Sequence, residues 1–140
     1  MTRIARLIFT TAAWVFVAGV LTQVFFAGMV VAARRWGWSN HIDMGYLLSL
    51  PIIVMVIAVF LSKFPRRMKL LTLVLAAVYL TQILLIWARE SNPMLSAFHP
   101  VMALLDFGLG TFLAWQATGL LRETSGSRLR PLQSSTQVGD

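Results

Sequence analysis

Leu21-Thr22-Gln23-Val24 and Leu80-Thr81-Gln82-Ile83 are two copies of one short pattern, each set inside a long apolar run. Each copy is followed by one of the chain's two histidines: Gln23 leads His41 by 18 residues, and Gln82 leads His99 by 17. Both histidines continue as His-x-x-Met, to Met44 and to Met102. A repeat at this spacing predicts an internal duplication, two helical hairpins that each carry one glutamine and one histidine.

The runs around the repeat decide the fold class. Leu7 to Ala33, Met44 to Ser62 and Leu70 to Ala88 carry no charge, and Ser96 to Leu121 is interrupted only by Asp106. About 20 mainly apolar residues in helical form cross the hydrocarbon of a bilayer. Apolar side chains make up 58% of the 140 residues and mean hydropathy is +0.75, above the roughly even apolar share of soluble domains. The expected fold is therefore all-α, a single four-transmembrane-helix bundle over 1–121, with helices at about 7–33, 41–61, 68–88 and 95–121. Pro51 predicts a kink in the second helix, because it removes a backbone donor and crowds the preceding turn. Pro100 is tolerated in the first turn of the fourth. The Ser/Arg/Gln-rich stretch 122–140 reads as a disordered cytoplasmic tail.

The net charge of +7 is a matter of topology, not of nucleic-acid binding. Nine basic residues fall on one side: Arg3, Arg6, Lys63, Arg66, Arg67, Lys69, Arg122, Arg128 and Arg130. Arg34, Arg35 and Arg89 fall on the other. The positive-inside rule then predicts a multipass plasma (inner) membrane protein with both termini in the cytoplasm and both histidines near the outer face. Trp36 and Trp38 suit the aromatic belt there. The first apolar run is about twice the length of a signal-peptide core, which favours a retained anchor.

Polar groups inside the runs are functional candidates, because hydrocarbon penalises them. At 1.5 Å per residue, Gln23 lies roughly 15 Å and Gln82 roughly 9 Å below the outer helix ends. Asp106, seven residues past His99, lies roughly 10 Å deeper on the same helix face. Helices two and four of a four-helix bundle can lie across from each other, so that both imidazoles converge on one haem iron. Met44 and Met102 are then candidates to line the ring or ligate, and Arg34, Arg35 and Arg89 to hold carboxylates by their guanidinium forks. Against this stands the plainer reading of an interfacial histidine as a polar helix-start residue. Gln23 and Gln82 equally suit cross-bonding of helices, with a second role on a haem edge or quinone pocket. Asp106 is a candidate proton or polar relay. The absence of cysteine removes disulfides, thiolate metal sites and covalent haem attachment, leaving b-type haem. A two-histidine zinc site is the weaker metal reading, since zinc takes three or four protein ligands. No nucleophile–base pair, Walker loop, dinucleotide glycine signature or metalloprotease motif is present, and the chain is not expected to act as an enzyme on its own.

Two resemblances follow from these residues. Gln23-x-x-x-Ala27-Gly28, His41-x-x-x-Gly45 and His99-Pro100 resemble a family of small four-helix bacterial membrane proteins of unknown function, over about residues 5–121. More distantly, the doubled order of a glutamine helix, an outer loop and a histidine-led helix resembles one four-helix half of haem A synthase. That second likeness implies His41 and His99 as axial ligands of a haem at the outer side. The chain has neither the second half of that enzyme nor its outer-loop acidic and cysteine features, so synthase activity is not implied. The resulting expectation is an integral membrane b-type haem-binding protein for electron transfer or haem handling, with lipid, other membrane subunits or a second copy, and a quinone or redox protein as partners. The alternatives are a cofactor-free subunit of a larger membrane complex and a small-molecule or ion carrier using Asp106.

Overall fold

The computed structural model describes residues 2–126, and every regular element among them is helical. In chain order these are α1 (Thr2–Val31), α2 (Ser39–Leu47), α3 (Ser49–Leu61), α4 (Arg66–Trp87), α5 (Pro93–Ser96) and α6 (His99–Gly126). They form four helices long and apolar enough to cross a membrane: Thr2–Val31, Ser39–Leu61, Arg66–Trp87 and Pro93–Glu123. The expected fold class stands. α6 runs on to Gly126, past the expected end at Leu121, and the remainder of the expected tail, with Arg128 and Arg130, lies outside the described residues.

Two of the helix breaks have one cause. α2 ends at Leu47 and α5 at Ser96. Each is the residue whose carbonyl would accept a bond from the residue four places on, and those residues are Pro51 and Pro100, which have no N–H to give. At the first break the backbone stays helical, with Leu48 at φ −65° and ψ −12°. The second span is thus interrupted without being ended.

Packing arranges the spans in a ring. α1 packs on α3 and α6, and α4 packs on α6 and α3, so the second and fourth spans are diagonal to each other. The core is apolar: Phe9, Phe16, Met55, Leu75 and Leu113 are fully buried, while Leu21, Phe25, Leu80, Leu84, Leu104 and Trp115 face outward, as lipid-facing side chains do. In hydrocarbon, helix association relies on close van der Waals fit, which favours small residues at the contact. Ala13, Ala114 and Ala117 are fully buried in this core, and Gly110 accepts the Phe16 ring so closely that an added Cβ would stand 2.9 Å from it. Because Phe16 has no free space to move into, Gly110→Ala is expected to destabilise the bundle by about 1–3 kcal/mol. Thermal unfolding in detergent reads this directly, and an unchanged midpoint would contradict the packing described.

The two ends differ in chemistry. At the end that carries the first turn of α1, Arg6 Nε donates to the Ser62 carbonyl at 3.1 Å and its guanidinium lies 5.3 Å from the centre of the Phe64 ring. Phe64 in turn meets Phe9 edge-on at 5.2 Å. At the other end Trp36 lies edge-on to Phe25 and Phe26, folding the loop after α1 back over that helix.

Candidate cofactor site

The duplicated glutamine–histidine pairs form the same contact twice. His41 Nδ1 lies 3.1 Å from the backbone carbonyl of Gln23, and His99 Nδ1 lies 3.0 Å from that of Gln82. A carbonyl only accepts, so in each ring Nδ1 carries the proton, and in the neutral ring Nε2 is then the atom with the lone pair. This is the arrangement that orients imidazoles for metal ligation, with the second nitrogen tied to a backbone oxygen. The two rings, from diagonally opposed spans, stand 6.1 Å apart between centroids with their planes at 70°. Trp38 meets His41 edge-on at 5.5 Å from outside.

Both histidines face a cavity of about 510 Å³. Gln23 of α1 and His99 of α6 contribute one wall; Ile42, Gly45 and Tyr46 of α2 contribute a second; Ile83, Ile86 and Trp87 of α4 contribute a third. Gln82, Trp38 and Arg89 complete it, and Arg89 is the only charged lining residue. The Oε1 atoms of Gln23 and Gln82 are buried with no hydrogen-bond partner among the described residues. Gly45 makes room for the Gln23 amide, since a Cβ there would stand 2.6 Å from its Nε2. Two side-chain bonds from α4 cross to α2: Tyr79 donates to the Gly45 carbonyl at 2.7 Å, and the Trp87 indole N–H donates to the Tyr46 hydroxyl at 3.3 Å.

Of the residues singled out in the sequence, His41, His99, Gln23, Gln82 and Arg89 come together on this cavity. Met44 and Met102 do not line it; the Met44 methyl lies beside Gly19, where Leu48 fills most of the space the glycine leaves. Arg34 and Arg35 also stay off the lining, in the loop after α1, where Arg34 has a φ of 52°. Asp106 sits on α6 and does not line the cavity; it is fully enclosed, with neither carboxyl oxygen hydrogen-bonded among the described residues. Tyr46, Trp87 and Tyr79 were not legible as site residues. The signal for Tyr79 was its place three residues before Gln82, on the same helix face.

Residues 23–89 match the model of a family described as a family of unknown function (DUF6220). The match runs from Gln23 to Arg89, both cavity residues, and takes in His41 but not His99. It supports the expected likeness to a small family of unknown function, and the comparisons give no support to the likeness to haem A synthase. Neither the curated proteins nor the solved structures yield a match.

Proposed function

We propose that this chain is an integral membrane protein that holds one b-type haem between His41 and His99, for electron transfer or haem handling at the outer face of the plasma membrane. The observation that carries this reading is the spacing of the rings. Two metal–imidazole bonds of about 2.0 Å, with about 1.1 Å from each nitrogen to its ring centre, need roughly 6.2 Å between centroids. The separation here is 6.1 Å. That is the separation one atom would need if held by Nε2 of each ring, and it is too short for an unligated flat organic ring between them.

The donor set argues for a macrocycle. No group of three or more His, Cys, Asp or Glu among the described residues could hold a metal ion. A metal gripped by two imidazoles here must bring its remaining donors with it, and a tetrapyrrole brings four. The cavity's size falls within the range of about 300–1,000 Å³ typical of ligand sites, and its walls are mainly apolar. The chain has no cysteine for covalent attachment. Bound there, a haem would supply one-electron redox chemistry. His41 and His99 would hold it through Nε2, with the Gln23 and Gln82 carbonyls fixing each ring's tautomer and raising its basicity. Arg89 would meet a carboxylate at the rim. The nine-to-three distribution of basic residues supports placing both termini in the cytoplasm. A quinone or a redox protein would be the electron partner, and lipid, other subunits or a second copy the neighbours.

The test is the haem content of protein expressed with haem supplied and purified in mild detergent. The pyridine haemochrome assay should give one haem b per chain, removable by acid–acetone. Absence of haem under those conditions would sink the reading and return the histidines to helix packing. Gly45→Ala separates ligand binding from folding. Alanine is the better helix former by about 1 kcal/mol, so unfolding of the haem-free protein should occur at the same temperature or higher. The displaced Gln23 amide should weaken haem retention by roughly tenfold. Unaltered retention would remove the Gln23 side chain from the site and leave only its carbonyl on His41.

A further inference from the structure

The ring of helices has one incomplete seam. Each span packs along its neighbours, except that α2 packs on α1 and makes no comparable contact with α4. The chain break that Pro51 imposes after Leu47 separates the part of the second span that does pack on α4, which is α3, from the part that does not. Above α3, two bonds that α4 sends across span the seam among the described residues, Tyr79 to the Gly45 carbonyl and Trp87 to the Tyr46 hydroxyl.

The seam leads to the cavity. Ile42, Tyr46 and Trp87 line it, yet are 46%, 51% and 65% exposed. Side chains that line a cavity and face outward mark where it reaches the surface, and on this flank of a membrane helix the surface is lipid. The 3.3 Å indole–hydroxyl bond is at the long end of hydrogen-bond geometry and exposed, so opening it loses little. Ile42 on one side of the seam and Ile83 and Ile86 on the other give it apolar flanks, while the one charge of the lining, Arg89, sits just past the end of α4.

Resting on the haem-binding reading, we propose that the α2–α4 seam is the port by which the cavity exchanges its ligand with the lipid phase, closed by the Trp87–Tyr46 pair. The ligand class is thereby narrowed to planar amphiphiles that partition into a bilayer and carry an anionic edge. The apolar body passes between Ile42 and Ile86, and the anionic edge ends at Arg89. On this account the protein draws from, and returns to, a membrane-dissolved pool.

Zinc protoporphyrin IX tests this, because it has the shape and the carboxylates and its zinc takes a single axial ligand, so its entry needs neither iron nor both histidines. The chain has no cysteine, so Tyr46→Cys with Trp87→Cys supplies the only thiols. This variant in vesicles is linked by a cleavable bismaleimide, and porphyrin is offered from donor vesicles. Linking should slow uptake at least about tenfold relative to the same protein after cleavage, and porphyrin loaded beforehand should stay bound. In a separate protein, Tyr46→Phe with Trp87→Phe removes the bond, keeps the rings and should speed uptake roughly two- to tenfold. Equal uptake by linked and cleaved protein overturns the port, and so does a wild type that takes up no porphyrin. Equal uptake beside a full complement of haem would sink the port alone. Port-dependent porphyrin entry without haem retention would sink only the iron ligation.

Discussion

His41→Ala and His99→Ala should each abolish the six-coordinate spectrum of the haem-loaded protein and weaken haem retention by at least about 100-fold. The figure follows from what lesser changes do: loss of a second-shell partner at a metal site already costs 10- to 100-fold in affinity, and here a direct ligand goes. Each ring is placed by a backbone carbonyl from the preceding span of its own hairpin, His41 by Gln23 and His99 by Gln82, so neither should move to cover for the other. The single variants should therefore leave a five-coordinate haem with the remaining histidine, and the double variant should retain none. Both rings are only half-buried, and the bundle core lies elsewhere, so the variants should still fold. Unfolding of the haem-free proteins checks this. A spectrum indifferent to one histidine would remove that residue from the iron, and one indifferent to both would place the haem elsewhere.

Asp106→Ala should stabilise the protein. Asp106 is wholly buried and neither oxygen has a hydrogen-bond partner among the described residues. Tyr79, on the facing helix, is near enough to interact electrostatically but gives its hydroxyl proton to Gly45 instead. A buried polar group left unsatisfied costs about 1–3 kcal/mol, and alanine is also the better helix former by a few tenths. Against that, the vacated volume is small, and at about 24 cal/mol per Å³ it takes back only some half a kcal/mol. The net gain expected is about 1–3 kcal/mol, read as a higher thermal midpoint in detergent. Were the carboxyl fastened by a partner, removal of one member of a buried pair would instead destabilise by roughly 3–5 kcal/mol. The sign of the change thus decides between them. A more stable variant would mark Asp106 as a residue kept for something other than packing, and make it the first candidate for proton relay or ion carriage.

The parts of this picture that sequence makes legible are those that follow from period and solvent. Apolar runs of membrane length, three of them uncharged, give four spans, and the spaced glutamine–histidine pairs give two polar contacts of like geometry, because each histidine starts a helix beside the glutamine helix before it. What periodicity cannot give is depth. Asp106 shares a helix face with His99, but the cavity is closed below by Tyr79 reaching Gly45, so the same face one level down is core. Met44 was one turn below His41 as expected, yet its flexible side chain turns to Gly19 on α1, beside Leu48, a contact that depends on tertiary packing. Arg34 and Arg35 sit in a loop whose course is set by Trp36 against Phe25 and Phe26, and helical period does not reach there. Pro51 signalled a break; that the break opens a seam depends on which neighbour each half then follows.

The central claim is that two neutral imidazoles meet on one iron. Low-temperature electron paramagnetic resonance of the oxidised, haem-loaded wild type tests it most directly. Two imidazole ligands predict a low-spin ferric signal accounting for essentially all the haem, with the tilt between the rings reflected in its anisotropy. A purely high-spin signal would contradict the claim, because it would leave the iron with at most one of the two histidines.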